Sequence, residues 1–289
     1  MRMSVRTWLI ALLAAGAALP ALAQGSQPAD DSTPAFLQIF REEVKPGKGG
    51  SHEANETAWA AAYASNKMQN GWLGVVSITG ANEAWFFTGI ASWEEWEKNI
   101  KAEDANTALS AEVKKLSAQD GELLNRVTGI IARFRPNLSY QPRVNLAEMR
   151  YMRVNMARVK PGHGSEYVDS WKQIIAAHEK AKMDEHWAIY QVVSGMPDGT
   201  YLYLQAFKSL ADIDKNAPMH EAETYRSVVG EEGRFRQQET NQAALEWSQD
   251  LVFAFNPKMS YVPKSWADAD PAFWTPKAAA PAKKPGEKK

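Results

Sequence analysis

The stretch FLQIFREEVKPG at residues 36–47 returns 115 positions later as YMRVNMARVKPG at residues 151–162. Each copy is a run of strand length, with partly alternating apolar and polar residues, that ends in Val-Lys-Pro-Gly. Proline restricts φ and glycine supplies a permissive backbone, so each copy predicts a strand followed by a tight turn. A chain that opens twice in the same way indicates tandem copies of one structural unit.

The similarity keeps its order over the whole unit, which chance similarity would not do. Apolar residues at three- and four-residue spacing predict a helix after each turn, expected over residues 51–67 in the first copy. Two strands around a glycine turn, a second helical region and a last strand follow. We therefore predict two tandem units, over residues 35–140 (the first repeat) and 148–262 (the second repeat). Further aligned positions are Trp72 with Trp187, Gly80 with Gly195, and residues 136–140 with 257–261.

The second helical region of each repeat carries its own signals. Ser92 and Glu95 have the spacing of a capping box, which predicts a helix start. Gly121 in the first repeat, and Gly230 and Gly233 in the second, are expected to interrupt the helix, since glycine is a poor helix former.

The order β-α-β-β-α-β is the ferredoxin-like pattern, with an antiparallel four-stranded sheet covered by helices on one face. One unit alone would leave the other, apolar sheet face in water, which is unfavourable. Two such faces packed against each other remove the problem. The predicted fold class is α+β, with two ferredoxin-like βαββαβ units packed sheet to sheet as an intrachain α/β barrel.

The strand, Val-Lys-Pro-Gly turn and helix, found twice, resemble the dimeric α/β-barrel superfamily. This superfamily includes antibiotic-biosynthesis-type monooxygenases, heme-degrading monooxygenases, chlorite dismutases and stress-responsive domains. The resemblance covers both repeats and is more specific for fold than for activity. It implies that a ligand lies between the sheet and the helices, or inside the barrel.

The two ends of the chain have compositions unlike the repeats. Residues 1–23 combine two arginines, a short apolar run and an Ala-Leu-Ala cleavage pattern, which predicts a signal peptide and a periplasmic or secreted protein. An uncleaved N-terminal anchor is the alternative. Residues 24–34 form a predicted linker, and residues 277–289 a predicted disordered Ala/Pro/Lys tail. No transmembrane segment is expected after signal cleavage.

Composition excludes several function classes. With 33 basic and 34 acidic residues, the formal net charge of -1 leaves no basic excess for binding nucleic acid. The absence of cysteine excludes disulfides and thiolate metal sites, and no metal site is predicted. The standard hydrolase, phosphate-loop and metalloprotease motifs are missing, so the sequence leaves open whether the protein is an enzyme.

The second repeat holds the predicted ligand site. Arg153 and Asn155 share one face of a strand, whereas the first repeat has Gln38 and Phe40 at these positions. This polar replacement suggests a polar pocket in the second repeat. The alternative is that Arg153 pairs with an acidic neighbour and that Asn155 forms a hydrogen bond within the barrel.

His178 and Trp187 complete the predicted ligand-binding set. His178 falls on the apolar face of a helix, where a polar ring needs either a structural hydrogen bond or a function. The resemblance adds that monooxygenase relatives place an Asn and a Trp near a bound aromatic substrate. Two other histidines, His52 and His163, follow turn glycines and are expected to be solvated.

His220 is the candidate heme ligand, because the resemblance implies that heme-binding relatives use a histidine of the helical layer. Three functional hypotheses follow. The first is a protein that binds a small apolar or aromatic ligand without chemistry, and the second is a cofactor-independent monooxygenase-like enzyme. The third is a heme protein, and neither of the others requires a cofactor. A small molecule is the expected partner, and association into a homo-oligomer is left open.

Overall fold

The computed structural model describes residues 33–215 and 223–275. The predicted signal peptide, the tail and His220 lie outside these residues, as does most of the predicted linker. The strands are β1 Phe36–Val44, β2 Leu73–Ser77, β3 Glu83–Ile90, β4 Leu124–Phe134, β5 Tyr151–Val159, β6 Ala188–Ser194, β7 Thr200–Phe207 and β8 Leu245–Phe255.

The helices lie between these strands and after the last of them. Gly230 has a φ of 68° and kinks the sixth helix, as predicted. Gly121 and Gly233 lie within helices, so the interruptions predicted there are wrong; a helix tolerates glycine at a cost of about 1 kcal/mol. The helices are α1 Gly49–Ser65, α2 Trp93–Ala105, α3 Thr107–Leu123, α4 Gly164–Ala181, α5 Leu210–Lys215, α6 Glu223–Ala244, α7 Lys264–Ala269 and α8 Pro271–Trp274.

The capping box predicted at the start of α2 is present. The Ser92 hydroxyl accepts a hydrogen bond from the backbone N–H of Glu95 at 3.1 Å. The Glu95 carboxylate in turn accepts the backbone N–H of Ala91 at 2.5 Å. Two N–H groups at the helix start are thereby satisfied, which explains why the helix begins here.

The eight strands form one closed antiparallel barrel in the order β1-β3-β2-β8-β5-β7-β6-β4. Strand β2 pairs with β8, and β4 pairs with β6, so the sheets of the two repeats are hydrogen-bonded at both edges. Closure removes the exposed edge strands that each sheet would otherwise present. The predicted fold class is confirmed: the α+β chain forms an intrachain α/β barrel from two ferredoxin-like units.

The barrel interior is filled with apolar side chains. Ile39, Val154 and Phe253 are fully buried there, and strands from both repeats contribute to this core. Near one end, Trp274 of α8 packs on the core and its indole N–H donates to the backbone carbonyl of Ala147 at 2.8 Å. Because apolar side chains fill the interior, a polar binding site is expected on the outer face of the sheet.

Strand alternation sends every second side chain outward, toward the helices. In β1, Leu37 and Ile39 face the core, whereas Gln38, Phe40 and Glu42 face the helical layer. In β5 the corresponding outward positions include Arg153 and Asn155. The helices of each repeat therefore cover a row of partly polar strand residues.

Glycine is required where the β6–β7 turn lies against β4. This junction between the sheets of the two repeats is called the seam below. Gly195, in the β6–β7 turn, has a φ of 90°, and a Cβ atom there would overlap with the carbonyl oxygen of Gly129 in β4. Gly80, its counterpart in the first repeat, has a φ of 83°, and its Cβ would meet the Leu251 side chain at 2.6 Å. The repeated glycine thus allows both the turn and the approach of the other repeat.

Within residues 33–215 and 223–275, no helix has the length and apolar character needed to cross a bilayer.

Candidate functional site

In the described part of the chain, each repeat has a cavity between its sheet and its helices. The cavity of the first repeat measures about 660 Å³, and the cavity of the second about 620 Å³. Both volumes fall in the range of small-molecule sites, roughly 300–1,000 Å³. The two cavities differ in the chemistry of their walls.

Six aromatic side chains contribute to the walls of the first cavity, among polar and aliphatic residues. Tyr63 of α1 packs edge-on against Trp72, with their ring centroids 4.9 Å apart. The Trp72 indole N–H donates to the carbonyl of Met259 at 2.8 Å, which fixes this ring. Such walls offer flat apolar surface with few rotatable bonds. The other aromatic side chains lining the cavity are Phe40, Trp59, Phe86 and Trp96.

A buried polar cluster lies beside this cavity, and its two glutamates line the wall. His52 Nε2 lies 2.8 Å from Glu42 Oε2 and 3.8 Å from Glu56 Oε1. The side chains of Glu42, His52 and Glu56 are 12%, 3% and 7% exposed. The expectation that His52 is solvated is therefore wrong. The first turns of α1 pack over the outer face of β1, which places His52 against Glu42.

Glu56 is the most perturbed group of the cluster. Burial, followed by the nearby carboxylates of Glu42 and Asp120, raises the pKa of Glu56 to about 10. Burial also raises the pKa of Glu42, although hydrogen bonding to His52 opposes this shift. Among the described residues, Glu56 Oε1 has no hydrogen-bond partner. A buried polar atom without a partner is costly and needs an explanation.

Asp120 of α3 is held beside this cluster by two donors. Asn55 Nδ2 donates to one of its carboxylate oxygens at 2.6 Å, and the Trp59 indole N–H donates to the other at 2.9 Å. Both donors lie on α1, so the hydrogen bonds connect the two helices that cover the cavity. The carboxylate is therefore fixed in position next to Glu56.

The second cavity contains two of the residues predicted from the sequence. Arg153 and Asn155 line it, together with Trp171 and Tyr203. Arg153 Nε donates to Asp250 at 2.9 Å, so the arginine does pair with an acidic neighbour. The wall formed by α6 is polar, with Arg234, Gln237, Gln238, Asn241 and Gln242.

His178 and Trp187 lie behind this cavity rather than at its surface. His178 is fully buried, with Nδ1 2.8 Å from the backbone carbonyl of Ile174. Its ring packs edge-on against Trp187 at 4.8 Å, and the Trp187 indole N–H donates to Leu138 at 3.0 Å. His178 Nε2 lacks a hydrogen-bond partner among the described residues and lies 3.7 Å from Glu185, which lines the cavity. The four predicted residues thus form two layers, and ligand binding by them stays a prediction.

Sequence reasoning missed Glu42, His52 and Glu56, although the repeat contains a signal for them. With the same shift of 115 positions, their counterparts in the second repeat are Ala157, Tyr167 and Trp171. Apolar or aromatic residues therefore suit these positions in this fold. The charged set of the first repeat is an addition that packing does not require.

The described histidines give no support to a histidine-ligated heme in the two cavities. Among the described residues, no histidine lines either cavity. His178 is enclosed by aromatic rings, and His52 contacts two carboxyl groups. The predicted heme ligand His220 lies outside the described residues, so heme binding stays a prediction.

Comparison with known proteins supports the fold. No family model and no curated protein matches the sequence. A solved "putative monooxygenase" from Fusobacterium nucleatum subsp. nucleatum is 11% identical; the match covers 76% of this chain and 91% of that chain, with a TM-score of 0.51. An "anthrone oxidase-like protein" is 13% identical, with 78% and 93% covered and a TM-score of 0.50.

A mutant chlorite dismutase from Candidatus Nitrospira defluvii is 9% identical, with 78% and 94% covered and a TM-score of 0.48, a likeness too weak to support an argument. At these identities, the likeness to the other two proteins shows the fold alone. The shared fold agrees with the α/β barrel that the repeated sequence predicts. Activity has to be argued from the residues of the chain itself.

Proposed function

We propose that the protein binds a small aromatic molecule in the cavity between the sheet of the first repeat and helices α1–α3. The observation that carries this proposal is that six aromatic side chains and several carboxyl groups line the same cavity. Aromatic side chains provide most of the contact area, and a few polar groups orient the ligand. This arrangement is typical of small-molecule sites.

The carboxyl groups determine what kind of aromatic molecule is favoured. Glu42, Glu56, Glu103 and Asp120 all line the cavity, and Arg126 is the basic residue in the wall. Carboxyl oxygens accept hydrogen bonds and repel anions. The preferred ligand is therefore neutral or cationic and carries hydroxyl or amino donors, as phenols and aromatic amines do.

Fluorescence titration tests this assignment. Trp96 lines the cavity, whereas Lys98 on the same helix is exposed and lies outside the wall. Loss of an aromatic contact is worth about 0.5–1.5 kcal/mol, so Trp96→Leu should weaken binding about two- to twelvefold. Lys98→Leu is the control and should change the affinity less than twofold. Equal affinities in wild type and Trp96→Leu, or tighter binding of aromatic carboxylates than of phenols, would contradict the proposal.

The second cavity is the competing location for the same ligand. Its wall includes Arg153 and Asn155, and the first repeat shows which residues the fold accepts there, namely Gln38 and Phe40. The variants Arg153→Gln and Asn155→Phe therefore transfer the residues of the first repeat. A ligand whose affinity falls in these variants, but not in Trp96→Leu, binds in the second repeat.

Oxygenation of the bound aromatic molecule is the second candidate function. The observation that favours it is the Glu42–His52 pair at 2.8 Å beside an aromatic cavity, because such a pair can accept a proton from a substrate. In the reaction, a ring-activated CH₂ group would lose two hydrogens and gain one oxygen atom from O₂ as a carbonyl. The other oxygen atom would leave as water with the two hydrogens, so the substrate supplies all four electrons that reduce O₂.

Oxygen uptake with a panel of phenols and activated methylene compounds measures this activity. Uptake that is lost in Glu42→Gln and retained in Lys98→Leu supports an enzyme. Absence of uptake at high protein concentration, with ligand binding intact, supports a binding protein.

Two further predictions concern heme and export. A titration with hemin, monitored by the Soret band, tests heme binding: a shift that is absent, or that persists in His220→Ala, excludes His220 as the ligand. We also propose that the chain is exported and cleaved after Ala23. N-terminal sequencing of the protein from a periplasmic fraction should then begin at Gln24.

A further inference from the structure

The cluster of Glu42, His52 and Glu56 beside the first cavity has the composition of a metal site. Glu42 comes from β1, and His52 and Glu56 lie four residues apart on one face of α1. One ligand atom from each of the three residues lies within 4.8 Å of the other two. Residues at positions i and i+4 of a helix face the same way, which is a common way to present two metal ligands.

The cluster is hard to explain as part of the fold. The second repeat builds the same strand and helix with Ala157, Tyr167 and Trp171 at the three positions. Tyr167 and Trp171 belong to an apolar cluster there. In the first repeat only, charged residues therefore replace this apolar packing. Burying them costs desolvation free energy, and their packing does not offset that cost.

A second observation also points to a cation site. The Glu56 side chain is 7% exposed and Oε1 has no hydrogen-bond partner among the described residues, yet this atom lies 3.8 Å from His52 Nε2. Two carboxyl groups share this space with one imidazole, and Asp120 adds a third carboxyl group nearby. A divalent cation would give Glu56 Oε1 a partner and would stabilise the ionised form of both glutamates.

We propose that Glu42, His52 and Glu56 bind one divalent first-row transition-metal ion. Mixed carboxylate and imidazole ligands suit Mn²⁺, Fe²⁺ or Zn²⁺ better than Mg²⁺ or Ca²⁺, which take oxygen ligands. Three protein ligands leave at least one coordination position free. Because Glu42 and Glu56 also line the cavity, this position faces the space where a ligand would lie. The inference holds whether or not an aromatic molecule binds.

Calorimetry on the full chain, freed of metal with a chelator, tests the proposal without any organic ligand. Titration with MnCl₂ and with ZnCl₂ should show one equivalent bound, and a chelator should reverse the binding. Glu56→Gln should weaken the affinity at least hundredfold. His163→Asn is the matched control: His163 pairs with Glu166 at the start of the equivalent helix but is exposed, so its loss should leave the affinity unchanged.

A second variant distinguishes loss of metal binding from misfolding of Glu56→Gln. The triple variant Glu42→Ala, His52→Tyr and Glu56→Trp installs the residues of the second repeat, so it should fold, as judged by circular dichroism, and bind no metal. With Co²⁺ as probe, wild type should give ligand-field absorption bands that the triple variant lacks. Absence of stoichiometric binding in wild type, or binding that survives in the triple variant, would overturn the proposal. Neither result bears on ligand binding by the aromatic walls.

Discussion

The contact between Gly195 and β4 allows a quantitative test of the barrel seam. Gly195 and Gly162 both have a φ of 90°, but a Cβ atom at Gly162 would meet no atom within 4 Å. Gly162→Ala therefore measures backbone strain alone, which is about 1–2 kcal/mol for a left-handed alanine. Gly195→Ala adds a steric overlap with the backbone of Gly129, where no side chain can move aside.

The extra cost of Gly195→Ala follows from the pairing of β4 with β6. The backbone of Gly129 must move away, which disrupts about two hydrogen bonds of the seam at roughly 1 kcal/mol each. We expect Gly195→Ala to lower the free energy of unfolding by about 3–4 kcal/mol, against about 1–2 kcal/mol for Gly162→Ala. The loss of unfolding free energy in Gly80→Ala should lie between these two values. Its new Cβ atom would meet the Leu251 side chain, which can rotate away.

Urea unfolding, followed by tryptophan fluorescence and circular dichroism, provides these free energies. If Gly195→Ala and Gly162→Ala destabilise the protein equally, the two repeats do not meet at this seam. The intrachain barrel, and the separation of the two cavities that follows from it, would then be wrong.

Three further predictions concern single residues. Glu83→Gln should cost about 2–4 kcal/mol, because the buried carboxylate of Glu83 accepts two hydrogen bonds from Arg41, whereas Glu94→Gln at an exposed ion pair should leave the stability unchanged; equal losses in urea unfolding would contradict the difference. Ser92→Ala should cost about 1 kcal/mol through loss of the helix cap, measured in the same way, and a neutral result would mean that the cap contributes nothing. Burial raises the pKa of Tyr190 above its usual value of 10.0, so the stability that its neutral form contributes is present below pH 10 and is lost as the pH rises further. Between pH 9 and pH 11, the unfolding free energy of Tyr190→Phe should therefore fall by about 1.4 kcal/mol less than that of the wild type. An unchanged pH dependence would show that this phenol is solvated.

Much of the fold could be predicted because its signals are local. The Val-Lys-Pro-Gly turns, the capping residues of α2 and the paired turn glycines each act within a few residues of chain. Gly121 shows the limit of such signals: the penalty of a glycine is small, and the packing of α3 against α1 offsets it.

The candidate site was harder to predict, because its residues come together only through packing. The sequence favoured the second repeat, since Arg153 and Asn155 replace less polar residues there. Comparing Glu42, His52 and Glu56 with their counterparts points to the first repeat instead, but this comparison becomes informative only when the three positions are known to be buried together.

The amino-acid sequence by itself determined the duplicated unit, the order of its strands and helices, and the apolar sheet faces that required a partner. Periodicity and turn residues encode these features within short segments. Only the tertiary structure decided that the barrel interior is filled, that ligand space lies under the helices, and that a histidine and two glutamates share a buried corner. The environment of a polar group depends on neighbours that are remote in the chain, and these are set by how the strands close and where the helices pack.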